Sequence, residues 1–182
     1  VPISKTKIIV PNRRSELLSR PRLLESLKSL LDNKLLLLSA PAGYGKTSLL
    51  IDLANHVEMS VCWLSLDLLD RDPQRFIAYL IASLSERFPG VGATSRTRLS
   101  RSNSIEQDAE AILVMLTNEI YDLVEEDFLF IIDDYHLLDD VPVISSLVNR
   151  FLGLVVENCH VILSSRTLPS LADVTLMVAR EQ

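Results

Sequence analysis

The stretch Ser39–Leu50, SAPAGYGKTSLL, decides the fold that this sequence predicts. A glycine-rich turn ends on Gly45-Lys46-Thr47, and such a turn lets successive backbone N–H groups point at phosphate oxygens. In the general pattern G-x-x-x-x-G-K-[ST], the lysine reaches the β- and γ-phosphates and the last hydroxyl contacts Mg²⁺. Ala40 replaces the first glycine of that pattern. The stretch therefore predicts a phosphate-binding loop whose first turn tolerates a Cβ.

The residues on either side of this loop supply the context that a phosphate-binding loop needs. Leu35–Leu38 is a short, uninterrupted apolar run, as expected of a central parallel strand covered on both faces. Thr47–His56 follows with apolar residues at helical spacing, and the N-terminus of such a helix attracts anions. A glycine-containing turn without a ligand is the alternative. The candidate nucleotide-binding residues of the loop are Ala42, Gly43, Tyr44, Gly45, Lys46, Thr47 and Ser48.

The size and composition of the chain favour a single domain that binds neither nucleic acid nor a membrane. Its 182 residues are 48% hydrophobic, which fits a sheet covered on both faces. The net charge of −6 argues against a basic face that binds nucleic acid, and no apolar stretch has the length of a membrane span. Cys62 and Cys159 show no metal or redox spacing, so reduced thiols in a cytoplasmic protein are predicted.

Apolar strand-like runs alternate with helix-like stretches, which is typical of a three-layer α/β fold with a mostly parallel central sheet and helices on both faces. Asp72 and Asp140 are predicted helix caps. The polar stretch Phe88–Ser104 is predicted to be a mobile surface loop, and a short element is predicted at Val174–Ala179. The predicted strands are Leu35–Ser39, Val61–Leu66, Phe128–Asp133 and Val161–Ser165. The predicted helices are Pro21–Leu31, Thr47–His56, Asp72–Phe88, Ile105–Val124 and Val143–Asn158.

A second chemical signature lies at the end of the predicted strand Phe128–Asp133. The strand ends in paired acids, Asp133 and Asp134, and P-loop enzymes need an acid there to hold the Mg²⁺ shell opposite the loop hydroxyl. Asp133 is therefore the candidate metal-side acid, together with Thr47. Asp134 is the candidate to orient or polarise an attacking water. The alternative is that the two acids merely end the strand in a turn.

A third signature is Arg166, which follows the predicted strand Val161–Ser165. Polar groups at the carboxyl end of a strand lie where open α/β sheets bind ligands. A guanidinium at this place could contact the γ-phosphate and report whether it is present. An arginine that follows a strand without any such role is equally compatible with the spacing.

These three sites resemble the nucleotide-binding domain of the STAND signal-transduction ATPases, closest to the MalT-like branch of the large LuxR-type transcriptional regulators. SAPAGYGKTSLL looks like the phosphate-binding loop of that branch, including Ala40 and the tyrosine before Gly-Lys. FIIDDYHLL looks like its Walker B segment, and VILSSRTLP looks like its sensor segment. The resemblance implies that Arg166 is the γ-phosphate-sensing arginine, so that Lys46, Asp133, Asp134 and Arg166 form the catalytic group.

The upstream residues and the stretch WLSLDLLDRDPQRFIAYL (Trp63–Leu80) are also similar to this family. The upstream similarity implies that a segment beside the nucleotide contributes further binding residues. The resemblance also implies that residues 1–182 are the nucleotide-binding domain, truncated before a fifth core strand, a lid, a sensor region and a DNA-binding region. DNA would then be bound only through those other regions. The upstream candidates are Val10, Pro11, Leu18 and Arg20.

The function expected from these residues is an ATP-dependent switch that binds ATP or ADP with Mg²⁺ and hydrolyses ATP slowly. Its partners would be the downstream domains of the same protein, and the ATP-bound full-length form could self-associate. A small-molecule kinase is the first alternative, with Arg96, Arg98 and Arg101 as its phosphate-binding arginines. A nucleotide-binding interaction module without hydrolysis is the second.

Overall fold

The computed structural model describes residues 1–12 and 19–171, together with the backbone of residues 177–180. Strands and helices alternate along this part of the chain. The strands are β1 (Leu35–Ser39), β2 (Ser60–Ser65), β3 (Phe128–Asp133), β4 (Cys159–Ser165) and β5 (Met177–Arg180). The helices are α1 (Pro21–Ser29), α2 (Lys46–His56), α3 (Pro73–Arg87), α4 (Ala93–Arg101), α5 (Ile105–Leu123) and α6 (Pro142–Leu154).

The strands form one parallel sheet in the order β2-β3-β4-β1-β5. β1 leads directly into the predicted phosphate-binding loop, and β3 and β4 end in the other two signatures. Because all strands run in the same direction, these three carboxyl ends meet at one edge of the sheet. That edge is where open α/β sheets bind ligands.

Each face of the sheet packs against its own group of helices. The residues of β1, β3 and β4 alternate between the two faces, which explains their uninterrupted apolar runs. One core joins α1 and α2 to the sheet and includes Leu24, Leu27, Leu36, Leu38, Leu50, Leu53, Leu129, Ile131 and Ile162. The other joins α3, α4, α5 and α6 to the opposite face and includes Phe76, Leu80, Leu99, Ile112, Leu116, Phe130, Ile144, Val161 and Leu163.

The predicted α/β architecture is confirmed, and the four predicted strands agree with β1 to β4 to within two residues. The Asp72 cap is confirmed, because its carboxylate accepts a hydrogen bond from the Arg75 backbone N–H at 2.7 Å. The prediction that Asp140 caps a helix is wrong. The α6 cap is Val141, and the Asp140 carboxylate accepts a hydrogen bond from Arg71 at 2.8 Å instead. Among the described helices, none is both long and apolar enough to cross a bilayer.

The expectation that a fifth core strand lies beyond Gln182 is also wrong. β5 pairs with β1 in parallel, from Leu36 opposite Met177 to Ser39 opposite Arg180. It overlaps the short element predicted at Val174–Ala179, of which residues 174–176 lie outside the described part. A strand of four residues carries too little alternation to be recognised as a core strand from its sequence.

The predicted surface loop Phe88–Ser104 contains helix α4, which is a third correction. The helix begins after Gly92, and a side chain from α5 caps it. The Glu119 carboxylate accepts hydrogen bonds from the backbone N–H of Gly92 at 3.1 Å, from that of Thr94 at 2.6 Å and from the Ser95 hydroxyl at 2.7 Å. Because this cap comes from a residue 24 to 27 positions away, local sequence gives no sign of it.

Gly92 is expected to tolerate no side chain. It has a φ of +87°, and a Cβ added there would lie 2.5 Å from Ile81 Cγ2 and 2.6 Å from Ser85 Oγ. Left-handed strain and overpacking together predict that Gly92→Ala lowers the free energy of unfolding by about 3 kcal/mol, measured by denaturant titration. Gly153→Ala in α6 is the matched control, because a Cβ there meets nothing within 4 Å. Equal stability of the two variants would contradict this account of α4.

The start of the chain is held against the end of β2 by a buried ionic cluster. Lys7 and Arg75 both pair with the Asp70 carboxylate, which is fully buried, and the Arg75 Nε–Asp70 Oδ1 distance is 3.0 Å. The Tyr79 ring adds a cation–π contact, with the Lys7 ammonium 4.3 Å from its centroid. These contacts fix the short helical turn Lys5–Lys7, which ends three positions before the predicted site residue Val10.

Candidate functional site

The loop between β1 and α2 has the backbone geometry of a phosphate cradle. Gly43 and Gly45 both adopt left-handed conformations, with φ of +84° and +78°, that a residue with a Cβ rarely adopts. Gly45 is the N-cap of α2, so the free N–H groups of the first helical turn face the loop. Ala42 and Tyr44 are exposed, whereas Ser48 is half-buried within that turn. The loop is therefore open towards solvent and lined by backbone donors.

Ala40 shows how the loop accommodates its non-glycine first position. Its backbone N–H donates to the Ser165 carbonyl at 3.3 Å, which continues the β1–β4 hydrogen-bond ladder by one residue. The side chain is buried, and its φ is not among the positive values. The position is thus an extension of the strand, and a Cβ fits there without strain, as the sequence predicts.

The Lys46 ammonium lies against the loop. Nζ donates to the carbonyl oxygens of Ala40 at 2.5 Å and of Pro41 at 3.1 Å. A lysine that begins a helix and folds back over the loop places its charge on the side where an anion would bind. Burial raises the pKa of Asp134, and the charge of Lys46 is one of the influences that oppose this rise.

Thr47 and Asp133 are joined directly. The Thr47 hydroxyl donates to Asp133 Oδ2 at 2.7 Å, and Asp133 Oδ1 accepts from the Asp134 backbone N–H at 2.9 Å. Asp133 is 2% exposed, so both carboxylate oxygens are held in place within the fold. A hydroxyl and a carboxylate are oxygen ligands that suit Mg²⁺, which commonly uses one or two protein ligands together with substrate phosphates. The predicted pair therefore fits this metal.

The described part of the chain contains no group of three or more His, Cys, Asp or Glu side chains that could hold a metal. This excludes an all-protein cage in that part but not a site shared with phosphates. The Thr47–Asp133 pair is of the latter kind, because it offers few ligands at the edge of an anion-binding loop.

Asp134 lies at the point where β3 ends and has the one positive φ of a non-glycine residue in the described part, at 63°. Aspartate tolerates this left-handed conformation better than most residues, and such conformations cluster at functional sites. Burial, and secondarily the charge of Asp133, raise the pKa of Asp134 above its ordinary value. The charges of His136, Arg166 and Lys46 oppose this rise.

His136 is a member of this cluster that the sequence reasoning left out of the candidate site. Its Nδ1 lies 3.9 Å from Asp134 Oδ1, and both ring nitrogens are buried without a hydrogen-bond partner in the described part of the chain. Burial is the largest influence on its pKa, which is lowered although the Asp134 charge acts in the opposite direction. The signal available in the sequence was a histidine two residues after the second acid, at the end of a buried strand.

Arg166 and Arg20 approach the site from two other directions. Arg166 follows β4 directly and is exposed, and its charge acts on both Asp134 and His136. Arg20 Nη1 donates to the Tyr44 carbonyl at 3.1 Å, and its Nη2 lies 3.6 Å from the position of a Cβ on Gly45. The structure thus places the Arg20 guanidinium against the loop, and its contact with a nucleotide stays a prediction of the family resemblance.

For the remaining upstream candidates, the structure shows no hydrogen bond with the phosphate-binding loop among the described residues. Val10 packs against the core formed by α1 and α2, and Pro11 is half-buried beside it in the chain. Leu18 lies outside the described residues. The kinase alternative gains no geometric support from α4, because Arg96 donates to the Ser85 hydroxyl at 2.8 Å and Arg98 pairs with Asp108.

The chain is similar in sequence to MalT transcriptional regulators. The MalT transcriptional regulator of Serratia proteamaculans is 37% identical over 173 residues, which are 95% of this chain and 19% of that protein. The MalT regulator of Yersinia enterocolitica is 34% identical over 177 residues, again 95% of this chain and 19% of the relative. The chain thus spans about a fifth of the length of these curated relatives. No family model matches the chain.

Solved structures show the same fold. A STAND protein with a tetratricopeptide repeat sensor from Pyrococcus horikoshii superimposes with a TM-score of 0.62 at 22% identity, covering 92% of this chain and 23% of that one. A Walker-type ATPase of Pyrococcus abyssi gives a TM-score of 0.54 at 19% identity, covering 85% and 47%. The relatives in sequence are MalT regulators and the neighbours in fold include a STAND protein and a Walker-type ATPase, so the chain is similar to about a fifth of the length of the MalT regulators and has a P-loop-type α/β fold.

Proposed function

We propose that this domain binds ATP with Mg²⁺, hydrolyses it slowly, and works as a regulatory switch. The observation that carries the proposal is the convergence of three strand ends on one point. The Thr47 hydroxyl bonds to Asp133, while the charges of Lys46 and Arg166 both act on Asp134. Loop, paired acids and arginine are the parts that phosphoryl transfer from ATP to water requires.

The loop residues bind the phosphates in this proposal. The backbone N–H groups of residues 43–48 surround the β-phosphate, and the Lys46 ammonium leaves the carbonyls of Ala40 and Pro41 to reach the γ-phosphate. Thr47 and Asp133 would hold Mg²⁺, which when bound would neutralise charge on the phosphate oxygens. Arg20 keeps the loop in place through its hydrogen bond to the Tyr44 carbonyl.

Asp134 orients the attacking water and accepts its proton. Its raised pKa makes the carboxylate a stronger base than an ordinary aspartate. The neighbouring His136 lies 3.9 Å away and limits the directions in which the Asp134 side chain can turn. Positioning and electrostatics supply most of the catalysis in phosphoryl transfer, so a domain with few fixed contacts to the nucleotide is expected to turn over slowly.

In the full-length protein, the nucleotide state of this site would set the arrangement of regions outside this chain. The relatives that match are transcriptional regulators, and their remaining length leaves room for the lid, sensor and DNA-binding regions that the family resemblance implies. A switch of this kind acts by shifting a population, since ATP and ADP favour different arrangements. Self-association of the ATP-bound form belongs to the same proposal.

Arg166 is expected to distinguish ATP from ADP. A guanidinium that bonds to the γ-phosphate contributes to ATP affinity and adds nothing to ADP affinity, so Arg166→Ala should weaken ATP binding about tenfold or more and leave ADP binding within twofold. Isothermal titration calorimetry with Mg²⁺ and a non-hydrolysable ATP analogue, compared with ADP, measures both. Arg101→Ala, an exposed arginine on α4, is the control and should change neither affinity.

The same titration tests the proposed function as a whole. Absence of nucleotide binding by the wild-type protein would contradict it. Equal losses of ATP and ADP affinity in Arg166→Ala would contradict the sensing role alone. A loss of ATP affinity in the Arg101→Ala control, together with phosphorylation of an added hydroxyl acceptor, would favour the kinase alternative instead.

A further inference from the structure

Two serine hydroxyls at the end of β4 have no hydrogen-bond partner among the described residues. Ser164 and Ser165 are both buried, with 0% and 1% of their surface exposed. A buried hydroxyl without a partner costs free energy, and unpaired polar groups of this kind concentrate at functional sites. The two residues are adjacent in the chain, but their side chains face opposite sides of the sheet. Each hydroxyl therefore has different neighbouring side chains.

The alternation of β4 determines these directions. Ile162 belongs to the core on the α1–α2 face, whereas Val161 and Leu163 belong to the core on the other face. Side chains alternate along a strand, so Ser164 shares the face of Ile162, and Ser165 shares the face of Leu163. Ser164 therefore lies beneath α2, the helix that begins with Lys46 and Thr47.

The register of the sheet places Ser164 beside Asp133. Ile131 is paired with Ile162, and Ile132 with Leu163, so the next residues in the same register are Asp133 and Ser164. Asp133 shares the α1–α2 face with Ile131, as its bond to Thr47 requires. Neighbouring strands are about 4.8 Å apart, which leaves a serine hydroxyl within reach of a facing carboxylate after a change of rotamer.

The Thr47–Asp133 contact explains why a second donor would be useful. Among the described residues, Asp133 has one side-chain donor, the Thr47 hydroxyl, and one backbone donor, the Asp134 N–H. In phosphate-binding loops the hydroxyl at this position also contacts Mg²⁺. The Thr47 hydroxyl would then interact with both the metal and Asp133. A carboxylate accepts about four hydrogen bonds, and Asp133 therefore has capacity for a further donor.

We propose that Ser164 is a positioning residue of the Mg²⁺-nucleotide site, which turns its hydroxyl to donate to Asp133 when the metal and nucleotide are bound. The inference rests on the proposed function and adds to it a residue that holds the metal-side acid. It also gives a partner to the buried Ser164 hydroxyl, which has none among the described residues. Ser165, on the opposite face, has no such role.

The test compares Ser164→Ala with Ser165→Ala in the intact protein. ADP affinity is measured by calorimetry with Mg²⁺ and again with EDTA, and the ratio of the two affinities is the contribution of the metal. Ser164→Ala is expected to lower this ratio about tenfold, the factor that one hydrogen bond to a charged group contributes, while affinity in EDTA stays unchanged. Ser165→Ala should leave the ratio within twofold of wild type.

Thermal unfolding without nucleotide separates positioning from a general structural role. Removing an unpaired buried hydroxyl is expected to leave the unfolding temperature of both variants equal to that of wild type or higher. Ser164→Thr keeps the hydroxyl and should restore the metal contribution at least in part. A wild-type ratio in Ser164→Ala, or an equal fall in both alanine variants, would overturn the inference. A wild-type protein that binds no nucleotide would overturn the proposed function and this inference with it.

Discussion

Lys46→Ala is expected to weaken ATP binding about a hundredfold or more. Lys46 Nζ now donates to the carbonyls of Ala40 and Pro41, so its charge already lies on the loop and needs little rearrangement to meet a phosphate. A charge-assisted hydrogen bond contributes about 1.5–3 kcal/mol, and the ammonium can form more than one with the β- and γ-phosphates. The measurement is calorimetric titration of the intact protein with a non-hydrolysable ATP analogue and Mg²⁺.

The control for this variant is a lysine of the same face that lies outside the loop. Lys28 in α1 pairs with Glu25 at 3.3 Å on the surface, and Lys28→Ala should leave ATP affinity unchanged. Lys46→Ala should also unfold at the wild-type temperature, because Lys46 bonds to backbone carbonyls of an open loop and not to a buried acid. Wild-type affinity in Lys46→Ala would contradict the assignment of the loop.

The sequence was most informative where function and local pattern coincide. The Thr47–Asp133 contact joins residues 86 positions apart, yet it was predictable, because each residue ends a recognisable strand or begins a recognisable helix. Parallel strands bring such ends together once the sheet is inferred. Family resemblance, and no local rule, predicted that Arg20 lies beside the nucleotide, and the structure places its guanidinium against the Tyr44 carbonyl of the loop.

The features that were missed depend on contacts between distant elements. The polar sequence of α4 predicts a loop. The segment forms a helix because Glu119 of α5 caps its first turn. His136 gave only a weak signal, since a polar residue after a strand is ordinary until its distance to Asp134 is known. Ser164 could not be distinguished from Ser165 without the register that sets one of them beside Asp133.

Asp134→Asn is expected to abolish most ATP hydrolysis while it leaves ATP binding intact. Asparagine tolerates the left-handed backbone of position 134, where φ is 63°, and has nearly the same shape, so the site should keep its geometry. The amide cannot accept a proton from water. General-base catalysis contributes about a hundredfold to ten-thousandfold, so single-turnover hydrolysis should slow by at least about a hundredfold. ATP affinity should stay within about threefold of wild type.

Asp140→Asn is the matched control for this variant. Asp140 belongs to the same β3–α6 connection but is exposed and pairs only with Arg71 in the described contacts, so its loss should change the hydrolysis rate less than twofold. Equal hydrolysis in wild type and Asp134→Asn would show that another group positions the water. Loss of ATP binding in Asp134→Asn would instead give Asp134 a structural part in the loop.

The acid limb of the hydrolysis rate gives an independent check on Asp134. Burial and the Asp133 charge raise its pKa, so protonation of the base should slow hydrolysis at a higher pH than an ordinary aspartate, with a pKa of about 3.9, would allow. The same raised pKa means that the folded state holds a proton more tightly than the unfolded state. Stability without nucleotide should therefore fall as pH rises through that interval, and Asp134→Asn should lose this dependence. The group that makes hydrolysis possible is thus expected to destabilise the nucleotide-free fold at neutral pH.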